Sequence, residues 1–142
     1  MSGVLPQTAR YALRAMTCIA SQPRGQKVRA DAVARATNVP PAFLSKVLRR
    51  LVAAGLLRSE KGHHGGFELA RPREAIRFLD VLEAVDVDLT SDDCAFGFGR
   101  CNAASPCPLH DAWLELKQSM LVWAARKTLV DVECDGLGLD MG

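Results

Sequence analysis

Cys94, Cys101, Cys107 and His110 follow one another as Cys-x6-Cys-x5-Cys-x2-His. Thiolates are soft donors that favour iron–sulfur clusters, zinc and Cu(I). Structural zinc usually takes at least one close Cys-x2-Cys pair, which fixes two corners of a tetrahedron, and no such pair occurs here. Wider gaps in a stretch that also carries Gly97, Gly99, Ser105 and Pro106 suit a loop wrapped around a larger object, such as a polynuclear cluster. Three unligated thiols that sense oxidants through disulfides, or a zinc site, are the competing readings. Of the two remaining cysteines, Cys18 reads as a small core residue and Cys134 has no assigned role.

A second set of chemistry-bearing residues lies upstream. Ala42, Ser45, Lys46, Arg49 and Arg50 fall off the apolar stripe Phe43, Leu44, Val47, Leu48 and Leu51, so a helix here would present a basic face opposite a buried one. Arginine can bind guanine through two hydrogen bonds, Ser and Lys can reach base edges or phosphates, and Ala42 leaves the helix start open to a phosphate. Lys61, His63 and His64 lie in a glycine-rich turn with Gly62, Gly65 and Gly66, suited to the sugar-phosphate backbone. His63 and His64 are read as wing residues, since adjacent histidines in a hairpin rarely point to one side.

These residues need elements to position them. Periodicity predicts helices over 8–20, 28–37 (with Ala32, Val33 and Ala36 inward) and from Pro40 or Pro41 to Ala54, the last capped by Gly55. Strands at 56–59 and 67–70 flank the basic turn. A further helix covers 76–85, residues 86–93 read as polar and exposed, and a long helix opens at Pro108 and runs to Arg126. His110 would then sit about one turn into that helix, with its ring able to point back to the cysteine loop. Leu109, Trp113, Leu116, Met120 and Trp123 form an apolar seam along it, and a monomer would leave two tryptophans partly wet. Three helices followed by a hairpin is the winged helix-turn-helix plan, in which the third helix enters the major groove. The expected fold is therefore mainly α: a winged helix-turn-helix DNA-binding domain at 1–77, then a cluster-binding loop and long C-terminal dimerisation helix at 78–142.

Charge divides along the same line. Residues 1–77 carry 14 Lys/Arg against 4 Asp/Glu, whereas 78–142 carry 4 against 12. A basic front suits a polyanion such as double-stranded DNA, because neutralising phosphates releases condensed counterions. No apolar run is long enough to span a bilayer, and residues 1–8 lack the basic start and apolar stretch of an export leader, so a cytoplasmic protein without a membrane partner is expected. Enzymatic activity has no support: there is no nucleophile–base arrangement, no phosphate-binding glycine loop opening a helix, and no carboxylate pair in an apolar context.

The chain resembles the Rrf-two family of bacterial transcription regulators, which includes iron–sulfur sensors. Tyr11–Arg14, Phe43–Leu48, Leu51, Ala54–Leu56, Gly65–Phe67, Leu69–Ala70, Asp80–Val85, the three cysteines and Thr128–Leu129 carry the likeness, which spans residues 5–132. It implies a homodimer joined through the long final helices. It also implies a repressor whose affinity for its operator changes with an iron–sulfur cluster that senses nitric oxide, redox state or iron supply. Family members with the interval of Cys107–His110 use that histidine with a 2Fe–2S cluster. Some nitric-oxide sensors instead hold 4Fe–4S with an N-terminal aspartate, and the matching position here is Arg10, which cannot ligate. The first cysteine gap is one residue longer than the five-residue gap of the family's cluster-assembly regulators. A cluster-free thiol regulator, or an iron–sulfur carrier using the fold only for association, remain as alternatives.

Overall fold

The computed structural model describes residues 5–89 and 108–132. Five helices and one hairpin follow in the order α1 (Gln7–Ala20), α2 (Ala30–Thr37), α3 (Pro41–Ala53), β1 (Leu57–Glu60), β2 (Gly66–Leu69), α4 (Phe78–Ala84) and α5 (His110–Arg126), with a single 3₁₀ turn at Arg73–Ala75.

Helix α1 is the centre of the fold, and its sequence explains why. Ala9, Ala12 and Ala15 are fully buried, and such small side chains let α2, α3 and α4 approach closely around it. Met16 and Ile19 fill the space beyond them, and Cys18 is fully buried on the same helix, as expected. Thr17 and Thr37, both buried, each donate their hydroxyl to the carbonyl four residues back, Leu13 and Val33, so neither is left unsatisfied.

The second helix begins two residues later than its periodicity suggested. Val28 instead exchanges both backbone hydrogen bonds with Phe67, at 2.8 and 2.7 Å, adding a short third segment to the hairpin. The inward residues of α2 are Val33, Ala34 and Thr37, while Ala32 and Ala36 are only half-buried. Asn38 ends the helix in the left-handed conformation (φ 57°), which asparagine tolerates well.

Helix α3 has Pro41 at its first position and buries Leu44, Val47, Leu48 and Leu51. Phe43 departs from the expected stripe: it is 52% exposed, with its ring edge-on to Tyr11 at 6.2 Å between centroids. Position 43 lies on the margin of the buried arc, where a helix only one layer deep has nothing left to cover it. The end of α3 is a Schellman motif. Gly55 (φ +79°) donates to the Val52 carbonyl, Leu56 donates to that of Leu51, and both leucines are buried.

The hairpin is antiparallel, with Leu57 opposite Leu69 at its base and Glu60 opposite Gly66 at its tip, one residue from the expected strand limits at each side. The expected helix over 76–85 is shortened at its start. Ile76 is extended and fully buried, Arg77 bridges to Thr128, and α4 begins only at Phe78. The cause is local, since the Asp80 carboxylate accepts the Arg77 backbone N–H at 2.9 Å, a helix-starting contact. Beyond α4, Asp86 and Asp88 are exposed but Leu89 is buried; 90–93 lie outside the described residues.

Helix α5 opens at His110, with Pro108 and Leu109 in the turn before it, so the histidine is its first residue, not one turn in. Its 17 residues correspond to about 26 Å. Among the described residues, one side of α5 packs on the rest: Ala124 is fully buried, Met120 and Leu121 are half-buried against the core, and Trp123 packs edge-on against Phe78 at 5.4 Å. Leu129 is fully buried beyond the helix, where its N–H reaches the Ile76 carbonyl. The core thus runs continuously from α1 to the end of α5.

Candidate DNA-binding surface and metal site

The exposed side of α3 carries Ala42, Ser45, Lys46, Arg49 and Arg50, all solvent-facing. These positions repeat at three- and four-residue intervals, so one helical face presents them together while the opposite face is anchored by four buried aliphatic residues. Ser45 donates its hydroxyl to the Pro41 carbonyl at 3.0 Å and keeps lone pairs free to accept. Arg50 differs from its neighbours. Its guanidinium lies 3.4 Å from the Asp86 carboxylate, which places it toward the end of α4. Phe43 joins this surface instead of the core; its neighbour Tyr11 also lies under the Arg14 guanidinium, 5.9 Å from the ring centre.

The wing is shaped by glycines that nothing else could replace. A Cβ at Gly65 would collide with the Glu60 carbonyl, and one at Gly66 would lie 2.7 Å from the Val28 carbonyl oxygen, at a φ of +142°. Lys61, His63 and His64 are exposed on the tip. Arg29, which the sequence reading passed over, reaches the tip from the start of α2 with a 3.5 Å contact to the Gly62 carbonyl. Its signal was weak, since one Arg before a helix start is ordinary. Lys27 and Glu60 pair at 2.7 Å across the same junction. The hydrogen bond and charge of the partner raise the lysine's pKa and lower the glutamate's, so the pair stays ionised near neutrality.

Of the four expected metal ligands, Cys94, Cys101 and Cys107 lie outside the described residues, and His110 is within them. The His110 ring is half-buried at the start of α5, and among the described residues its Nδ1 is buried with no hydrogen-bond partner. A buried polar atom left unpaired costs about 1–3 kcal/mol, and an absent ion is one of the few explanations for it. An imidazole nitrogen in that state, three residues from a cysteine and joined in sequence to two more, fits the donor set of an iron–sulfur cluster. Among the described residues, the only other such atom is Arg10 Nε on α1. Among the described residues, no three His, Cys, Asp or Glu side chains converge as a metal site.

A basic recognition helix, a glycine-built wing and a long trailing helix thus occur in one chain. Residues 5–135 match the profile of the Rrf2 (Rrf-two) family, described as iron-dependent transcriptional regulator. The chain belongs to the Rrf2 family. Rrf2 proteins are transcription regulators and not enzymes, and this chain carries their winged helix. A protein of Mycobacterium tuberculosis named as an HTH-type transcriptional regulator is 39% identical over 125 residues, covering 87% of this chain and 77% of its own length. One of Aquifex aeolicus with the same kind of name is 31% identical over 135 residues, covering 92% and 93%. Among solved structures, CymR, the global cysteine regulator of B. subtilis, aligns over 98% of this chain and all of its own with a TM-score of 0.77 at 18% identity. T. potens IscR aligns over 92% and 86% with a TM-score of 0.71 at 21% identity. At those identities the likeness is one of fold. No helix of the described residues is long and apolar enough to cross a membrane.

Proposed function

We propose that this Rrf2 protein is a homodimeric repressor whose affinity for operator DNA is set by an iron–sulfur cluster held by Cys94, Cys101, Cys107 and His110. The single observation that carries the cluster reading is the buried, unpartnered Nδ1 of His110 at the first residue of α5. The family description as iron-dependent supports it. A 2Fe–2S centre is the favoured form, with 4Fe–4S the other. When bound, it supplies a polynuclear iron centre whose ligation responds to oxidants, nitric oxide or iron supply.

The rest follows from this chain's own residues. Lys46 and Arg49 on α3 contact bases and phosphates of a major groove, Ser45 and Ala42 sit near the positive end of the helix, and Lys61, His63 and His64 hold the adjacent backbone. Arg50 contributes to the same positive surface while leaning toward Asp86. The unit boundary near residue 77 is where this basic half gives way to the acidic one. Leu109 and Leu116, seven residues apart, are exposed on one side of α5, and a second copy packed over them would form the dimer. Two recognition helices must lie about 34–36 Å apart to occupy successive major grooves, so whatever fixes the start of α5 bears on that spacing. A cytoplasmic location accords with such a role. The test is anaerobic purification with Mössbauer spectroscopy, set beside a Cys94→Ser/Cys101→Ser/Cys107→Ser variant. Iron and visible absorbance in the parent and their loss in the variant support the reading. A colourless, iron-free parent contradicts it and favours bare thiols.

A further inference from the structure

Away from the recognition surface, a cleft of about 460 Å³ opens between the end of α1, the 21–26 link, the base of the hairpin and the 70–74 segment. Arg24, Arg58, Arg71 and Arg73 line it, against two carboxylates, Glu68 and Glu74. We propose that this cleft is a binding site for a small multivalent anion, one bearing two or more carboxylate or phosphate groups.

The case rests on what the four guanidiniums lack. Arg58 has only a loose pairing with Glu68, at 3.8 Å. Arg71 lies near enough to Asp80 to help hold that carboxyl down. Arg24 and Arg73 have no ion pair among the described residues. The four exposed guanidiniums rim one concavity against two carboxylates, which leaves an excess of positive charge there for an entering anion to neutralise. The guanidinium fork matches carboxylate and phosphate oxygens two at a time, a geometry lysine cannot supply. Ile19, Ala20 and Leu69 add an apolar floor for a carbon skeleton. The volume falls within the roughly 300–1,000 Å³ common for small-molecule sites.

A small ligand is favoured over the DNA backbone by position and by charge. The strand register puts Arg58 and Glu68 toward the base of the hairpin, whereas Lys61, His63 and His64 occupy its tip. Glu68 and Glu74 in the walls would repel a continuous phosphate chain but tolerate a compact ligand carrying hydroxyl or ammonium donors.

The experiment follows backbone amide shifts of the full chain during titration with citrate and with pyrophosphate at constant ionic strength. Saturable shifts centred on residues 20–26, 58 and 68–74, with a Kd below about 1 mM, are expected for at least one probe. Arg24→Ala/Arg73→Ala should weaken it tenfold or more, while Arg35→Ala/Arg126→Ala, which removes equal charge elsewhere, should not. Arg24→Lys/Arg73→Lys keeps the charge and removes the forks, so it should also weaken binding. No saturable shift with either probe, or equal weakening by both alanine pairs, overturns the proposal. So does a result in which neither probe binds but Arg24→Ala/Arg73→Ala flattens the salt dependence of duplex binding, since the arginines would then be DNA contacts. The readout needs neither iron nor operator, so it fails separately from the cluster reading.

Discussion

Lys46 and Arg49 differ in what they should do on DNA, and the difference is measurable one side chain at a time. An arginine bound to a guanine edge is worth about 1–3 kcal/mol and specifies a base, so Arg49→Ala should weaken binding by that amount and relax preference at one position of the site. A lysine on phosphate acts on all sequences alike, so Lys46→Ala should weaken specific and random duplexes together and lower the salt slope by about 1. Fluorescence anisotropy over a salt series separates the two. The basic residues were legible in the sequence because the stripe they avoid is strongly periodic. Phe43 was not, because an apolar residue at the edge of a stripe reads the same whether it is covered or bare. Its 52% exposure makes Phe43→Ala cost no more than about 1 kcal/mol in a denaturant melt, against about 2–5 kcal/mol for the fully buried Leu48→Ala.

The elements depend on their ends as much as on their faces. Burial alone would raise the pKa of Asp80, but the hydrogen bonds from the Arg77 side chain and backbone outweigh it and hold the carboxyl below its usual range. A folded-state value below the unfolded one stabilises the protein above the unfolded carboxylate's pKa, about 4, and that contribution fades as pH falls through the lower, folded value. Asp80→Ala should therefore cost about 0.5–2 kcal/mol at pH 7 and progressively less in acid, measured as chemical denaturation against pH. The late start of α4 turns on this contact, and a propensity reading could not find it because Ile76 continues the apolar rhythm without being helical. The late start of α2 has the same origin: Val28 satisfies a helix pattern and a strand pairing equally well, and only Phe67, about forty residues on, decides. The glycines of the wing were legible as a turn, but not as a collision. Gly65→Ala, whose Cβ meets the Glu60 backbone, should distort the tip and lower DNA affinity while α-helical circular dichroism is kept.

At the scale of the whole molecule, the basic and acidic halves share one core. The family, the mainly helical winged fold and the absence of enzymatic machinery were readable from motif and charge together. The cysteine spacing was readable as chemistry only, because a ligand set is a property of side chains in space and spacing bounds that without fixing it. The exposed Leu116 on α5 gives the dimer its test: Leu116→Glu should shift sedimentation from twice 15.4 kDa toward the single chain and weaken operator binding by losing the second half-site. The account stands or falls on whether iron and DNA are linked. One duplex, at one salt concentration, should be titrated anaerobically with cluster-loaded protein and with the same preparation stripped of iron. A difference in Kd of about fivefold or more, abolished by His110→Ala, is the predicted result. Equal affinity of the two forms would contradict it.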